Sequence, residues 1–185
     1  MTFYFVTPEN RSEYRGLMQD FFSRLSLIWG EVALDKYDTQ NARYLVCSHH
    51  EFGVIGGMRL LPTLGPKLSD ESLSESGVML HDDMTWEGTK LFFYLPFDHP
   101  IQDETEAYEE LCYYFYQGLW EYIQEVLPIE MIVTLIPECE HLDALHFGKW
   151  PFMLESNVKS PFQDDEEYTL GVLRIENAKE MAIAS

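Results

Sequence analysis

In TWEGTKLFFYL, residues 85–95, strand-forming residues gather at Phe92, Phe93, Tyr94 and Leu95 before Pro96 stops the run. DETEAYEELCYYFYQGLWEYIQEVL, residues 103–127, carries Leu111, Phe115, Leu119, Ile123 and Val126 as one helical stripe. Tyr113, Tyr116 and Trp120 lie off that stripe, which predicts a helix buried on two sides. MIVTLI, residues 131–136, is short and wholly apolar, the pattern of a strand in a sheet interior. Strand, long helix and strand in that order make a right-handed crossover, so the two strands are expected to be parallel and adjacent or nearly so.

Working outward, Thr7-Pro8-Glu9 reads as a helix opening: a hydroxyl cap, a proline in the first turn, then an acid at the positive end of the dipole. Tyr14, Leu17, Met18, Phe21, Phe22, Leu25 and Ile28 follow at spacings of three and four, and Gly30 ends the helix. Ala42–Ser48 and Val54–Leu61 read as a hairpin around His49-His50-Glu51-Phe52-Gly53. Gly56 and Gly57 in the second strand imply a bulge or a close approach by another backbone or a ligand. Residues 67–83, rich in Ser, Asp and Glu, read as a long excursion. A short helix over 138–147 and a strand over 168–175 complete the order, which is that of an α/β or α+β sandwich of one sheet with helices on its faces.

The length of 185 residues suits one domain with a real core, and 46% apolar residues exclude wholesale disorder. A net charge of −20 repels phosphate backbones and anionic lipid, which argues against nucleic acid or a membrane as partner. No apolar run reaches the roughly 20 residues needed to span a bilayer, and Met1–Val6 lacks the pattern of a signal peptide. Cys47, Cys112 and Cys139 form no close pair, so a reducing cytoplasm is the expected compartment.

Most chemistry-bearing patterns are absent. The chain has no phosphate-cradling glycine motif and no nucleophile elbow. His81-Asp82-Asp83 and the Cys139, His141, His146 group match no closed metal-ligand set and read as solvated side chains, as does the acidic run 163–167.

Two clusters remain. Asp35-Lys36-Tyr37-Asp38 directly precedes a strand, and its two acids suit either a cationic substrate group or the capping of a turn. Trp86-Glu87-Gly88-Thr89-Lys90 lies on the central strand, where alternation puts Glu87, Thr89, Leu91 and Phe93 on one face and Trp86, Lys90, Phe92 and Tyr94 on the other. A carboxylate in an apolar strand costs free energy unless it is paired or used. Glu87 is therefore either functional or an internal ion pair, for instance with Arg59 or Arg43.

In order along the chain, Asp35-Lys36-Tyr37-Asp38, Ala42-Arg43-Tyr44-Leu45-Val46, Val54-Ile55-Gly56-Gly57-Met58-Arg59-Leu60-Leu61-Pro62-Thr63, Gly65-Pro66 and Trp86-Glu87-Gly88-Thr89-Lys90 resemble the acyl-homoserine-lactone synthases, a branch of the GNAT acyltransferases. The match is tight over residues 35–95 and extends further as topology. The resemblance implies a GNAT-like three-layer sandwich, with a central mixed twisted sheet and helices on both faces, as a single acyltransferase-like domain over residues 1–185. It also implies that the amine of S-adenosylmethionine attacks an acyl thioester carried by acyl-carrier protein or coenzyme A, and that the product closes to a lactone and expels methylthioadenosine. S-adenosylmethionine and the thioester are then substrates, with no resident cofactor and no metal.

On this reading Glu87 accepts the ammonium proton through water. Arg59 or a backbone amide near the bulge meets the thioester oxyanion. Asp35 and Asp38 position the cationic acceptor or brace Arg59, and Phe21, Trp86, Thr89 and Lys90 complete the substrate site. The pantetheine arm lies between strands 87–95 and 130–136 where they splay apart. Leu17, Leu27 and Ala33 stand where the family carries arginine, tryptophan and glutamate, and Lys90 replaces an arginine, keeping the charge without the fork.

Acyl-carrier protein is acidic, so its docking needs a basic patch, for which Lys149, Lys159, Arg174 and Lys179 are the supply. Two other functions stay open: a GNAT enzyme acylating a different small amine, and a non-catalytic relative binding an acyl or adenosyl ligand or a protein partner. The aromatic helix 103–127 suits such a partner.

Overall fold

The computed structural model describes residues 1–30, 35, 37–38, 41–62, 85–94, 104–126, 129–137, 153–159 and 167–174. The chain falls into two compact units, Met1–Leu60 with Lys90–Val126, and Leu61–Thr89 with Leu127–Ser185. The excursion expected over 67–83, the short helix over 138–147, the candidate metal residues at 81–83 and 139–146, and the acidic residues 163–166 lie outside the described residues.

In the first unit, β1 (Thr2–Val6), β2 (Arg43–His49) and β3 (Gly53–Pro62, as far as Leu60) form an antiparallel meander. β1 runs beside β2 from Thr2↔Ser48 to Val6↔Tyr44. β2 runs beside β3 from Arg43↔Leu60 to His49↔Gly53, with a bulge at Cys47/Ser48. β4 (Thr85–Phe93) enters this unit at Lys90, and just past its end the Tyr94 N–H donates to the Ile55 carbonyl at 2.7 Å.

Two helices cover this sheet, α1 (Arg15–Trp29) and α2 (Glu104–Val126). In α1 the buried positions are Met18, Phe21 and Leu25 at the expected spacing, while Ile28 is exposed. In α2 they are Phe115, Leu119 and Ile123.

Gly56 and Gly57 show where the helices sit. A side chain on Gly57 would meet Phe21 of α1, and one on Gly56 would meet Phe115 of α2. Neighbouring strand residues point to opposite faces, so α1 and α2 lie on opposite sides of the sheet, three layers as expected.

The bulge and the close approach expected at these glycines both occur, since the register with β2 skips Ile55 beside Gly56. A Cβ at Gly57 would stand 2.2 Å from the Leu45 carbonyl oxygen, and one at Gly56 2.8 Å from that of Phe92. Other backbones, not a ligand, claim the space. Gly57→Ala is expected to lower stability by about 2–4 kcal/mol, read as an earlier denaturation midpoint at unchanged m-value.

The second unit holds the start of β4 with β5 (Met131–Pro137), β6 (Met153–Lys159) and β7 (Glu167–Arg174). β4 and β5 pair in parallel from Thr85↔Met131 to Gly88↔Thr134, so the crossover strands are parallel neighbours as expected. β5 continues beside antiparallel β7 as far as Pro137↔Tyr168, and β6 flanks β7. The pairing is therefore mixed, with Ile132 and Val133 fully buried.

Four expectations need correction. Residues 2–6 form a strand that the aromatic amino terminus did not suggest, and β6 also goes unannounced. α1 begins at Arg15, not at Thr7. The reason is Asn10, whose side-chain oxygen accepts the Thr7 N–H at 2.7 Å while its amide donates to the Phe5 carbonyl at 3.0 Å, so a local turn outcompetes the helix. Tyr113 and Tyr114 are exposed and pack edge to face on each other at 5.6 Å, so α2 is not buried on a second side there.

Regular alternation along β4 also fails. Thr85 and Glu87 are buried, but then Gly88, Lys90 and Phe92, so the phase shifts at Gly88. Lys90 has φ 54°, a left-handed conformation that costs a side-chain-bearing residue roughly 1 kcal/mol or more.

Candidate functional site

Strand register starts the site. Tyr44 of β2 lies directly opposite Arg59 of β3, and Arg59 is two residues from Gly57, so both point to the face covered by α1. Arg59 is fully buried. A guanidinium there is very costly unless acids meet it. The Asp35–Asp38 turn supplies them: Arg59 Nη1 donates to Asp35 Oδ1 at 2.7 Å, Nη2 to Asp35 Oδ2 at 3.2 Å, and Nη1 lies 2.9 Å from Asp38 Oδ1.

Lys90 brings the second cation from β4. Its Nζ donates to Asp38 Oδ2 at 3.0 Å and lies 3.3 Å from Asp35 Oδ2. Two cations and two carboxylates balance to zero charge, the condition under which three buried ions and the partly exposed Asp35 are tolerated together.

The turn also binds itself. The Asp35 N–H donates to Asp38 Oδ2 at 2.7 Å, the Asp38 N–H to the Asp35 carbonyl at 3.0 Å, and the Tyr37 N–H to Asp35 Oδ1 at 2.8 Å. Both earlier uses of these acids, capping a turn and bracing Arg59, therefore occur together.

Tyr44 is the residue that sequence reasoning missed. Fully buried, it donates its hydroxyl to Asp38 Oδ1 at 2.7 Å. Its ring meets Phe21 and Phe22 edge-on, each at 5.5 Å, and the Arg11 guanidinium lies 5.1 Å from the ring centre. A hydroxyl-bearing residue in the otherwise apolar Tyr44-Leu45-Val46-Cys47 run was the available signal.

The charges follow this geometry. Burial alone would raise the Asp38 carboxyl, but the Asp35 N–H, the Tyr44 hydroxyl, the Arg59 charge and Lys90 together outweigh it and hold Asp38 below its ordinary value. Arg59 shows the mirror case: burial disfavours its charge, and the Asp35 and Asp38 carboxylates more than restore it. Burial, then the bond to Asp38, pushes the Tyr44 phenol above its usual range, so it remains a donor.

Glu87 belongs to the second unit, is 3% exposed and stands opposite Val133 in the β4–β5 register. Trp86 and Thr89 are half-buried on the same strand. Phe21 is fully buried between Tyr44, Phe22 and Phe92, a core residue that supports the site's wall. The Cys47 thiol, buried in β2, is pushed up to about 12 by desolvation and is inert at neutral pH. Among the described residues no group of three His, Cys, Asp or Glu could hold a metal ion, and no helix is long and apolar enough to cross a membrane.

Neither a family profile nor a curated protein sequence matches the chain. Solved structures do. That of a CoA-dependent acyl-homoserine lactone synthase, MesI, aligns over 94% of this chain and 89% of its own, at 24% identity and a TM-score of 0.62. A second CoA-dependent synthase, BjaI, solved with SAM and isopentyl-CoA, aligns over 94% of this chain and 82% of its own, at 19% identity and a TM-score of 0.60. The synthase LasI aligns over 94% and 89%, at 13% identity and a TM-score of 0.63. The chain has the acyltransferase fold of the acyl-homoserine lactone synthases.

Proposed function

We propose that the protein is an acyltransferase of the acyl-homoserine lactone synthase kind. Its donor is an acyl thioester and its acceptor the amine of S-adenosylmethionine. A C–N bond forms as the thioester C–S bond breaks and the thiol leaves. The acceptor carboxylate then closes the lactone ring and methylthioadenosine departs.

The observation that supports this reading is the buried, charge-balanced quartet of Asp35, Asp38, Arg59 and Lys90 within this fold. Three buried ions and a partly exposed fourth are an expensive way to hold a turn, whereas fixed charges in a dry site are what an ionic acceptor and a developing oxyanion require. Glu87, buried on β4, is the base that receives the ammonium proton through water. Arg59 already spends its terminal nitrogens on Asp35 and Asp38, so it holds the acids, and a backbone amide is the better oxyanion donor.

Coenzyme A is the favoured carrier. Lys159 stands opposite Glu167 at one end of β7 and Arg174 lies at the other end of that strand, a separation of about 23 Å at strand rise. The backbone thus sets these two of the four basic residues at opposite ends of one strand.

One observation favours a different small amine as the acceptor. Leu27, where the resemblance puts a tryptophan, is 66% exposed.

The test supplies an acyl-CoA series with S-adenosylmethionine and measures free thiol and methylthioadenosine. Equal release of both is the expected result. Thiol release with other amines and no methylthioadenosine would give the second reading, and no acyl transfer from coenzyme A or acyl-carrier protein sinks both. A thermal shift gives a second readout: a ligand that binds only the folded state raises Tm, by an amount that grows with its concentration.

A further inference from the structure

We infer that Tyr44 is a positioning residue of this site, which sets the place and charge of Asp38 and, through it, of Lys90 and Arg59. The inference deepens the acyl-transfer reading and rests on it.

Three features carry it. First, Tyr44 ties the turn to the core. Its ring is clamped by Phe21 and Phe22 of α1, and its hydroxyl reaches Asp38 at 2.7 Å. Second, Asp38 meets both cations, at 2.9 Å from Arg59 Nη1 and 3.0 Å from Lys90 Nζ, and is the more buried of the two carboxylates that do so. Displacing it displaces two charges. Third, the hydroxyl is not needed for packing, because the aromatic contacts belong to the ring alone.

The groups facing Asp38 are the Arg59 and Lys90 cations, the Asp35 N–H and the neutral Tyr44 hydroxyl, with the Asp35 carboxylate across the two cations and Arg11 behind the Tyr44 ring. A phenol donating to a carboxylate stabilises the ionised form. Asp38 therefore contributes stability that is present above the ordinary carboxylate value and lost as pH falls through its lowered folded value. Removing the hydroxyl moves the folded value back up, so part of that contribution disappears at neutral pH, while in acid both proteins have lost it.

Tyr44→Phe is the test, with two readouts. In thermal unfolding from pH 7 to pH 3, the gap in Tm between wild type and variant is expected to be widest at neutral pH and to close in acid. In acyl transfer to S-adenosylmethionine, the acid limb of kcat/KM is expected to move up by about half a pH unit or more. The acceptor's KM should rise about tenfold with kcat changed less than about threefold.

A gap that stays flat with pH, together with an unmoved limb, shows a packing residue only and overturns the inference. If the wild type transfers no acyl group, the acyl-transfer reading fails, and the closing or flat gap alone decides whether Tyr44 governs the cluster. Should the phenylalanine variant not fold, Asp38→Asn tests the bond from its other end. Its Tm gap should also close in acid, and a flat gap there counts against the inference equally.

Discussion

Glu87→Gln lowers turnover by at least about 100-fold, the usual minimum for losing a general base, and leaves the fold standing. The substitution keeps the shape of a side chain that is 3% exposed in β4 and removes only its ability to take a proton. Glutamine at this position still fills the space opposite Val133 in the parallel pairing. The measurement is thiol release from acyl-CoA at saturating acceptor, accompanied by circular dichroism and thermal unfolding of the same preparation. Raising the pH is expected to recover part of the rate, because free amine then becomes more abundant without a base. An unchanged rate removes Glu87 from the chemistry. A collapsed fold instead assigns it to an internal ion pair, the alternative that the sequence left open.

The second large effect concerns stability. Arg59→Met is expected to destabilise the protein by about 3–5 kcal/mol, the range for breaking a buried ion pair by removing one partner. Arg59 is fully buried, so methionine fills much of its volume, and the loss comes from Asp35 and Asp38 facing a single remaining cation. The balance shifts from neutral to one excess negative charge. In this variant the Asp38 carboxyl is held down less strongly, so its deficit is expected to be largest at neutral pH and to shrink on acidification. Adding Asp35→Asn restores neutrality. The double variant is expected to be more stable than the single one, a non-additivity that direct contact requires. Denaturant midpoints of wild type, both single variants and the double variant measure it, and strict additivity sinks the account.

How much of this was legible beforehand depended on how local the cause was. The β2–β3 hairpin follows from apolar runs and turn residues within a few positions of one another, the parallel β4–β5 pair from the strand–helix–strand order, and the structure places both as expected. The start of α1 was misplaced because Thr7-Pro8-Glu9 carries a helix signal that the Asn10 side chain overrides by binding both Thr7 and Phe5. β1 was invisible because its partners lie 38 to 46 residues further along, and five residues beginning Thr2-Phe3-Tyr4 show no decisive alternation.

The site follows the same rule. The pairing of Asp35 and Asp38 with Arg59 was anticipated as one option. The arrival of Lys90 at the same two carboxylates was not, since 52 residues separate it from Asp38. The bond from Tyr44 to Asp38 depends on where the turn packs, and no spacing along the chain encodes that.

The distance along the chain between these four ions has a consequence for how the molecule reaches its native state. None can lose its hydration shell alone without a heavy penalty, and no short segment holds all of them. Dehydration of the group must therefore wait until β3 and the end of β4 have met, which places it among the last events of folding. Chevron analysis of Lys90→Met reads this directly: faster unfolding with refolding unchanged marks a contact made after the rate-limiting barrier.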